Sequence, residues 1–578
     1  MPLMGSLYVG ASGLQNSQNA LNATAHNLSN VDTTGYTRQQ VQLSSKFYHT
    51  LSINPKAVNN KQVGMGVNFS RIKQVRDYFL DKTYRKESGR SMFYEVSSEV
   101  IEEVESRFGE MDDESFQTTI EDFLYAIDEM VKDPASSVNQ GLLVQRASEF
   151  ISRAASVYDG LSAYQNNLNK QIKKQVDNIN LYGKQLLALN DAIRAIEAGG
   201  IEHANDLRDA RNQILDELAA LTDIRYDEDM YGNVWVQIEG VDFVKGGTCY
   251  EIGLDLDPAT GFYTPFWPQN ADYRILADGT KEYIIDGAEV FNLKREISSD
   301  MNTDIGGLKS MLLARGNHRA NYTDINGDYD SISQSIIMNI QAEFDQLIHN
   351  VVTKVNDVLA KAAGVEQGNL TLADGTVLQN VKYCKSNPDG YMRLSDGSPI
   401  QLFSKSTTDS YRKVEGLDEN GNVVEYWVYN EEDPTQLNSL YTCGNMMIHP
   451  ELMQEPAILG FRLGEGSEDK ATAEALKAIF EEEIYTLNPN VKKTTTLSEY
   501  YNDLISQLSV TGDVQRSIYE DQVNTVENIF NAREQVVGVS SDEELSNMIR
   551  FQNAYNAASR YINVISEMLE HILSTLGR

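Results

Sequence analysis

Apolar residues recur every seven positions at both ends of this chain, and nothing else in the sequence restricts its folding as strongly. Near the start, Leu7, Leu14, Leu21 and Leu28 form one row, with Met4, Ala11, Gln18 and Ala25 three residues ahead of each. Near the end, Met548, Tyr555, Ile562, Leu569 and Leu576 form another, interleaved with Phe551, Ala558, Ile565 and Ile572. Paired rows at this spacing are the a and d positions of coiled-coil helices. Each row covers one face of a helix roughly 40 Å long. Such a face needs a partner, because helices draw most of their stability from packing. The spacing predicts two terminal helices that pack on each other or on copies of themselves.

The first of these helices has a second peculiarity. No Lys, Arg, Asp or Glu precedes Asp32, although 23% of the chain is charged; an average stretch of that length would hold about seven charges. The face away from the leucines carries Gln15, Asn16, Asn19, Asn22 and His26. Burying an unpaired charge costs far more than burying a hydrogen-bonded amide. The composition therefore predicts a helix enclosed by protein on every side, as in a tube of many copies. Gly5, Gly10 and Gly13 would permit close helix approach, each weakening the helix by up to about 1 kcal/mol. The following stretch reads as a hinge. Asn30 suits a left-handed helix end, Asp32 can bond its own backbone, and Gly35 relieves the turn. "TRQQVQL" (37–43) then alternates as an extended segment does.

Between the ends the pattern changes several times. Residues 92–131 and 136–198 are expected to be helices, the second closed by Gly199-Gly200. A shorter helix follows, with Asn205 as N-cap and Leu207, Ile214, Leu218 and Leu221 as its apolar side. Residues 226–300 switch to alternating runs such as "VWVQIEG" and turns such as "LADGT". Helix returns at 336–360. Residues 366–490 are again β-rich, with turns at "LADGT", "NPDG" and "ENGN", and 497–540 are helical. The fold class is α+β. Residues 1–45 with 541–578 make a terminal coiled-coil assembly domain. Residues 46–225, 301–365 and 491–540 make a long-helix rod, and 226–300 and 366–490 are β-rich domains inserted between the rod helices. A chain that leaves a rod and returns to it should project its inserts sideways and bring its termini together.

Composition removes several function classes. With 49 Lys and Arg against 84 Asp and Glu, the net charge is −35, which opposes binding to nucleic acid or anionic membrane. No apolar run reaches the length of a membrane span, and no secretory signal peptide is legible. Cys249, Cys384 and Cys443 are far apart and read as buried or incidental thiols. The seven histidines form no catalytic or zinc spacing, and no phosphate-binding loop occurs. No cofactor and no metal are expected. "DINGDYD" (324–330) spaces its acids like calcium ligands. Gly327 is out of place for an EF-hand, however, and position 12 lacks Glu, so the stretch reads as a polar turn before a helix. Asp209 and Arg211 read as surface charges.

"SGLQNSQNALNATAHNLSNVDTTGYTRQ" (12–39) resembles the N-terminal signature of the flagellar axial proteins of the rod–hook class. The family's Asn-rich helix end and turn fall on Asn27, Asn30, Asp32, Thr33, Gly35 and Tyr36. The ending "GYTRQ" is similar to the hook-associated members, as are "ANDLRDARNQILDEL" (204–218), "GGLKSMLLARGN" (306–317) and "DEELSNMIRFQNAYNAASRYINVISEMLEHIL" (542–573). The resemblance implies a non-enzymatic subunit joining hook to filament. It implies self-association in a helical tube, hook protein below, and a second junction protein and the filament above. It also implies export without a cleaved signal through the flagellar type III apparatus to an extracellular position, with a cytoplasmic chaperone on the C-terminal helix. The assembly residues would be Met4, Leu7, Leu14, Leu21, Leu28, Asn27, Asn30, Gly35 and Tyr36, together with Met548, Phe551, Tyr555, Ile562, Ile565, Leu569, Ile572 and Leu576. The alternatives are a hook or rod subunit, disfavoured by the long helical section 136–222, and an enzyme housed in a β insert.

Overall fold

The computed structural model describes residues 2–46, 48–50, 62–108, 115–199, 203–276, 280–387, 392–463 and 466–576. Helix α1 (Pro2–Ser29) leads through the hinge to strand β1 (Gln39–Ser45), which pairs antiparallel with β4 (Val67–Gln74). Between them β2 (Tyr48–Thr50) pairs with β3 (Gln62–Gly64). Helices α2 (Tyr78–Phe108), α3 (Phe116–Lys132), α4 (Ser137–Glu197) and α5 (Asn205–Leu221) follow. A four-stranded meander comprises β5 (Ile224–Glu228), β6 (Val234–Ile238), β7 (Val241–Lys245) and β8 (Thr248–Cys249). Two hairpins come next, β9 (Gly253–Leu256) with β10 (Tyr263–Phe266) and β11 (Asp272–Ile275) with β12 (Lys281–Ile284).

The chain then returns to helix in α6 (Gly307–Arg315), α7 (Tyr322–Asn326) and α8 (Ile336–Ala362). Strands β13 (Glu366–Thr371), β14 (Val377–Lys385), β15 (Phe403–Lys405), β16 (Tyr411–Leu417), β17 (Val423–Tyr429) and β18 (Met446–Ile448) form a sheet ordered β13-β14-β17-β16 and a separate β15-β18 pair. Helices α9 (Pro450–Gln454), α10 (Lys470–Glu481), α11 (Leu497–Val537) and α12 (Ser541–Leu576) complete the chain.

The helix starts obey capping chemistry. Ser115, Ser136, Ser335 and Thr496 each accept a hydrogen bond from a backbone N–H of the first turn. The helix expected over 92–131 is two helices, and α2 begins at Tyr78. Its early buried face is Asp81, Arg85, Gly89 and Arg90, so the helical period is there but not in apolar residues. Asn205 is the first helical residue, preceded by a cap at Ala204 with no side-chain bond. Its carbonyl instead accepts from Gln74 Nε2 at 2.9 Å. The expected β character of 366–490 fails after Ile448, where Ala473, Leu476, Ile479 and Phe480 form the buried side of α10. Gly200, the residues 277–279 of the first "LADGT" turn and 388–390 of "NPDG" lie outside the described residues.

The expectation of projecting inserts also fails for most of their length. Val236, Phe243 and Trp267 share one core with Ile172, Val176, Ile179 and Leu186 of α4. Phe403, Tyr441, Phe461 and Phe480 share another with Phe123, Phe150 and Phe344. Small sheets bury one face each, and the long helices supply the apolar surface to cover them. Among the described residues of the inserts, β13, β14, β16 and β17 alone carry a small core of their own, built on Leu370, Tyr426 and Val428.

Candidate assembly interface

Helices α1 and α12 pack along each other. A Cβ at Gly10 would sit 2.8 Å from Ile562 Cγ1 and 3.1 Å from Tyr561 Cδ1, and one at Gly13 would sit 3.7 Å from Ala558 Cβ. Advancing along α1 thus retreats along α12, so the pair is antiparallel. The buried side of α1 is made of small and polar residues: Gly10, Asn16, Ala20, Ala23, Thr24 and Asn27. This departs from the simple heptad expectation. The leucines 7, 14, 21 and 28 are half-buried, and Met4, Ala11, Gln18 and Ala25 are exposed. Small residues win the seam because they let the two backbones approach closely.

The β1–β4 hairpin covers another side of α1. Asn16 Nδ2 donates to Val67 O at 2.9 Å, and Val67 N donates to Ser12 Oγ at 3.3 Å. Gly66, at φ +93°, is indispensable here, since a Cβ would lie 2.1 Å from Ser12 Oγ. The amides therefore bond inside the chain in part, which corrects the expectation that all of them await neighbours. A strip of Tyr8, Ala11, Gln15, Gln18, Asn22, Ala25 and His26 remains exposed, with no charged residue unless His26 is protonated.

The hinge is built on Asn27, 1% exposed. Its Nδ2 donates to Gln39 O at 2.9 Å, and its Oδ1 accepts from Gln39 N at 3.0 Å and from Tyr36 OH at 2.8 Å. The side chain thus imitates a strand partner for Gln39. Burial, reinforced by the charges of Asp209 and Asp206, pushes the Tyr36 phenol well above its usual range, so it stays a donor. Gly35 takes φ +78°. Asn30 is not left-handed; it closes the helix by donating from Nδ2 to His26 O at 2.9 Å. Backbone bonds from Thr33 to Asn30 O and from Tyr36 to Thr33 O complete the turn, with Asp32 exposed.

Beyond the hinge, the ends are bolted to the body by charge. Thr37 donates its N–H and its hydroxyl to Asp209, at 3.2 and 2.5 Å. Arg38 N–H donates to Val537 O, and its guanidinium pairs with Glu543 and Glu544 at 2.9 and 3.0 Å. Arg76 grips Asp81 with two bonds of 2.8 and 2.9 Å, and Arg533 reaches Asp81 and Asp216 at 3.2 and 2.8 Å. Burial alone would raise the Asp81 carboxyl. The bond and charge of Arg76, with the charges of Arg533 and Arg85, outweigh it and hold Asp81 below the usual range.

Asp209 and Arg211 are buried, not surface charges. Arg211 donates to Asn190 Oδ1, Gly232 O and Glu228, while burial pulls its guanidinium down to about 10. This network escapes a hydrophobicity reading because its members are charged. The spacing of Asp81, Arg85 and Gly89 on one helix row was the available signal.

Along α12, Met548, Phe551, Tyr555, Ile562 and Leu569 are half-buried, Ile565 is buried and Ile572 is exposed; the Leu576 side chain lies outside the described residues. A second apolar row, Tyr561, Val564, Met568 and Ile572, stays open to solvent. Val564, Met568 and Ile572 line a shallow groove with Glu567 and His571. Asp324 of the 324–330 turn is engaged within the chain, accepting from Asn321 N in a capping box and lying 3.2 Å from His318. Among the described residues no helix is long and apolar enough to cross a membrane.

Residues 101–372 match the family described as the flagellar hook-associated protein FlgK helical domain. Residues 7–37 match the flagella basal body rod protein family, and 535–575 match the flagellar basal body rod FlgEFG protein C-terminal family. The chain is 22% identical to flagellar hook-associated protein 1 of Bacillus subtilis (strain 168), over 97% of this chain and 96% of that one. It is 21% identical to the protein of the same name from Escherichia coli (strain K12), over 97% and 98%. The fold is similar to the flagellar hook junction protein FlgK from Burkholderia pseudomallei. That match has a TM-score of 0.50 at 12% identity and covers 79% of this chain and 100% of that one.

Proposed function

We infer what this chain does from its membership of the flagellar hook-associated protein 1 family: it is a structural subunit of the bacterial flagellum, at the junction between hook and filament. The rod families match only the two ends, whereas the hook-associated helical domain matches the long middle. That distribution favours a junction subunit over a hook or rod subunit. The chain acts by assembly, without catalysis.

The observation that carries the mechanism is the unfinished packing of the terminal helices. The α1–α12 pair is closed on its small-residue seam, yet it leaves uncharged and apolar rows facing out on both helices. An exposed apolar face of this kind marks an interaction surface. Copies stacked in a helical tube would cover Met4, Tyr8 and Ala11 of α1 and Val564, Met568 and Ile572 of α12. The hinge from Asn27 to Tyr36 would then set the angle between the inner helices and the outer body. Hook protein would meet this tube below, with a second junction protein and the filament above. Before assembly a cytoplasmic chaperone would cover the α12 face, and the chain would leave the cell without a cleaved signal.

The test is Val564→Asp with Met568→Asp. Both side chains are exposed, so the purified variant should melt like the parent. In cells it should be exported yet fail to join the hook, with filament subunits lost to the medium. Normal filaments in the double variant would refute the assembly role of this face.

A further inference from the structure

The chain is strongly acidic, but one cleft inverts the balance. Two adjoining hollows of about 410 and 570 Å³ share Tyr78, Arg85, Tyr226 and Asp227. Together they are lined by nine Lys and Arg but four Asp and Glu, whereas the whole chain has 49 against 84. Some of these cations are committed to structure, such as Arg76 to Asp81 and Arg85 to Asp216. Arg71, Lys73, Lys82, Lys86 and Arg225 are different. All five are exposed, and among the described residues no carboxylate lies within ion-pair distance of any of them. Arg71 donates to the neutral amide of Gln42, at 2.9 Å.

Deeper in, Arg211 is 2% exposed, and its Nε has no hydrogen-bond partner among the described residues. The lining is aromatic as well as basic: Tyr78 and Tyr226 line both hollows, and Tyr78 is exposed. Unpaired cations around a concave floor, with an open aromatic residue among them, compose a protein-binding surface that selects carboxylates.

We propose that this cleft, between β4, the start of α2, α5 and β5, docks a carboxylate-rich segment of a second copy of the chain. The occupant follows from charge: copies bearing a net −35 each repel one another unless acidic surface is brought onto a local cationic one. The inference rests on the self-assembly reading and gives it a second contact, remote in sequence from α12.

The test measures polarisation of a labelled hexaglutamate peptide with the purified full-length chain. Saturable binding is expected, weakening at least tenfold between about 50 and 200 mM salt as screening shortens the reach of the charges. Lys82→Glu with Lys86→Glu and Arg225→Glu should weaken it a further tenfold with an unchanged melting curve. In cells that triple variant should be exported but retained on isolated hooks at one fifth of the normal level or less. Absence of binding, equal binding by the triple variant, displacement by tripolyphosphate at concentrations no higher than those of unlabelled peptide, or normal retention would each overturn the proposal. Normal retention of Val564→Asp/Met568→Asp alongside loss of the triple variant would instead defeat the terminal-helix reading and leave the cleft standing.

Discussion

Asn27 fixes the hinge through one side chain, and its removal should be measurable at one amide. In Asn27→Ala the buried Gln39 N–H and C=O lose their partners at 3.0 and 2.9 Å, and Tyr36 OH loses its acceptor. Tyr36 is half-buried and can turn to water; the Gln39 backbone cannot do so without the strand lifting away. At about 1–2 kcal/mol for each unsatisfied backbone group, the hinge should open more easily by about 2–4 kcal/mol. That corresponds to exchange of the Gln39 amide roughly 30- to 900-fold faster. Asn27→Asp keeps the acceptor for Gln39 N–H and Tyr36 OH but sets a carboxylate against Gln39 O, so its effect should lie between parent and Ala. The melting of the main core should not move, since Asn27 takes no part in it. Unchanged Gln39 exchange in Asn27→Ala would show that the strand holds itself, and an equal loss of core stability would show that the hinge is ordinary interior.

Four further outcomes are expected. Gly10→Val places branched carbon against Ile562 and Tyr561; overpacking of about 1–3 kcal/mol should loosen the α12 end to protease, and Ile562→Ala should partly rescue it in a double-mutant cycle. Arg533→Ala takes one of two cationic partners from each of Asp81 and Asp216, which keep Arg76 and Arg85, so urea unfolding should show a loss of about 2 kcal/mol, the worth of a hydrogen bond to a charged group. Glu343 is buried and its carboxyl is pushed up to about 7 by burial, against the bonds from Asn488 and Asn339. The native state keeps this proton at pH values where the unfolded chain loses it, so stability falls as pH rises from about 4.5 through 7, by up to about 1.4 kcal/mol per unit. Glu343→Gln should remove that dependence in urea titrations at pH 5 and 8, stabilising the protein chiefly at pH 8. Deleting 366–490 should abolish folding of the helical body, because Phe403, Phe461 and Phe480 leave its core, whereas trimming the tip of the β16–β17 hairpin should cost less than about 1 kcal/mol in a thermal melt.

The terminal helices were legible because heptad spacing is a property of order along the chain, and α4 because Ser136 caps a long periodic run. The hinge was legible because Gly35 must occupy positive φ whatever surrounds it. The same local rules misplaced whatever depends on a neighbour. Row spacing indicated that α1 has an apolar face, yet the seam with α12 runs through Gly10 and Gly13 instead, because the closest approach of two cylinders is set by side-chain size on both. Asp81, Arg85, Asp209, Arg211 and Arg533 look solvated in a one-dimensional reading. Only when α2, α5 and α11 converge do Arg85 and Arg533 meet Asp216, and Arg533 meet Asp81, so that the cost of burial is offset; Asp209 is held by Thr37 and Gln74, and Arg211 by Glu228 of β5. The β-rich stretches announced their strands but not their burial, since whether an alternating segment faces water or the flank of a helix is decided by which helix comes to lie across it.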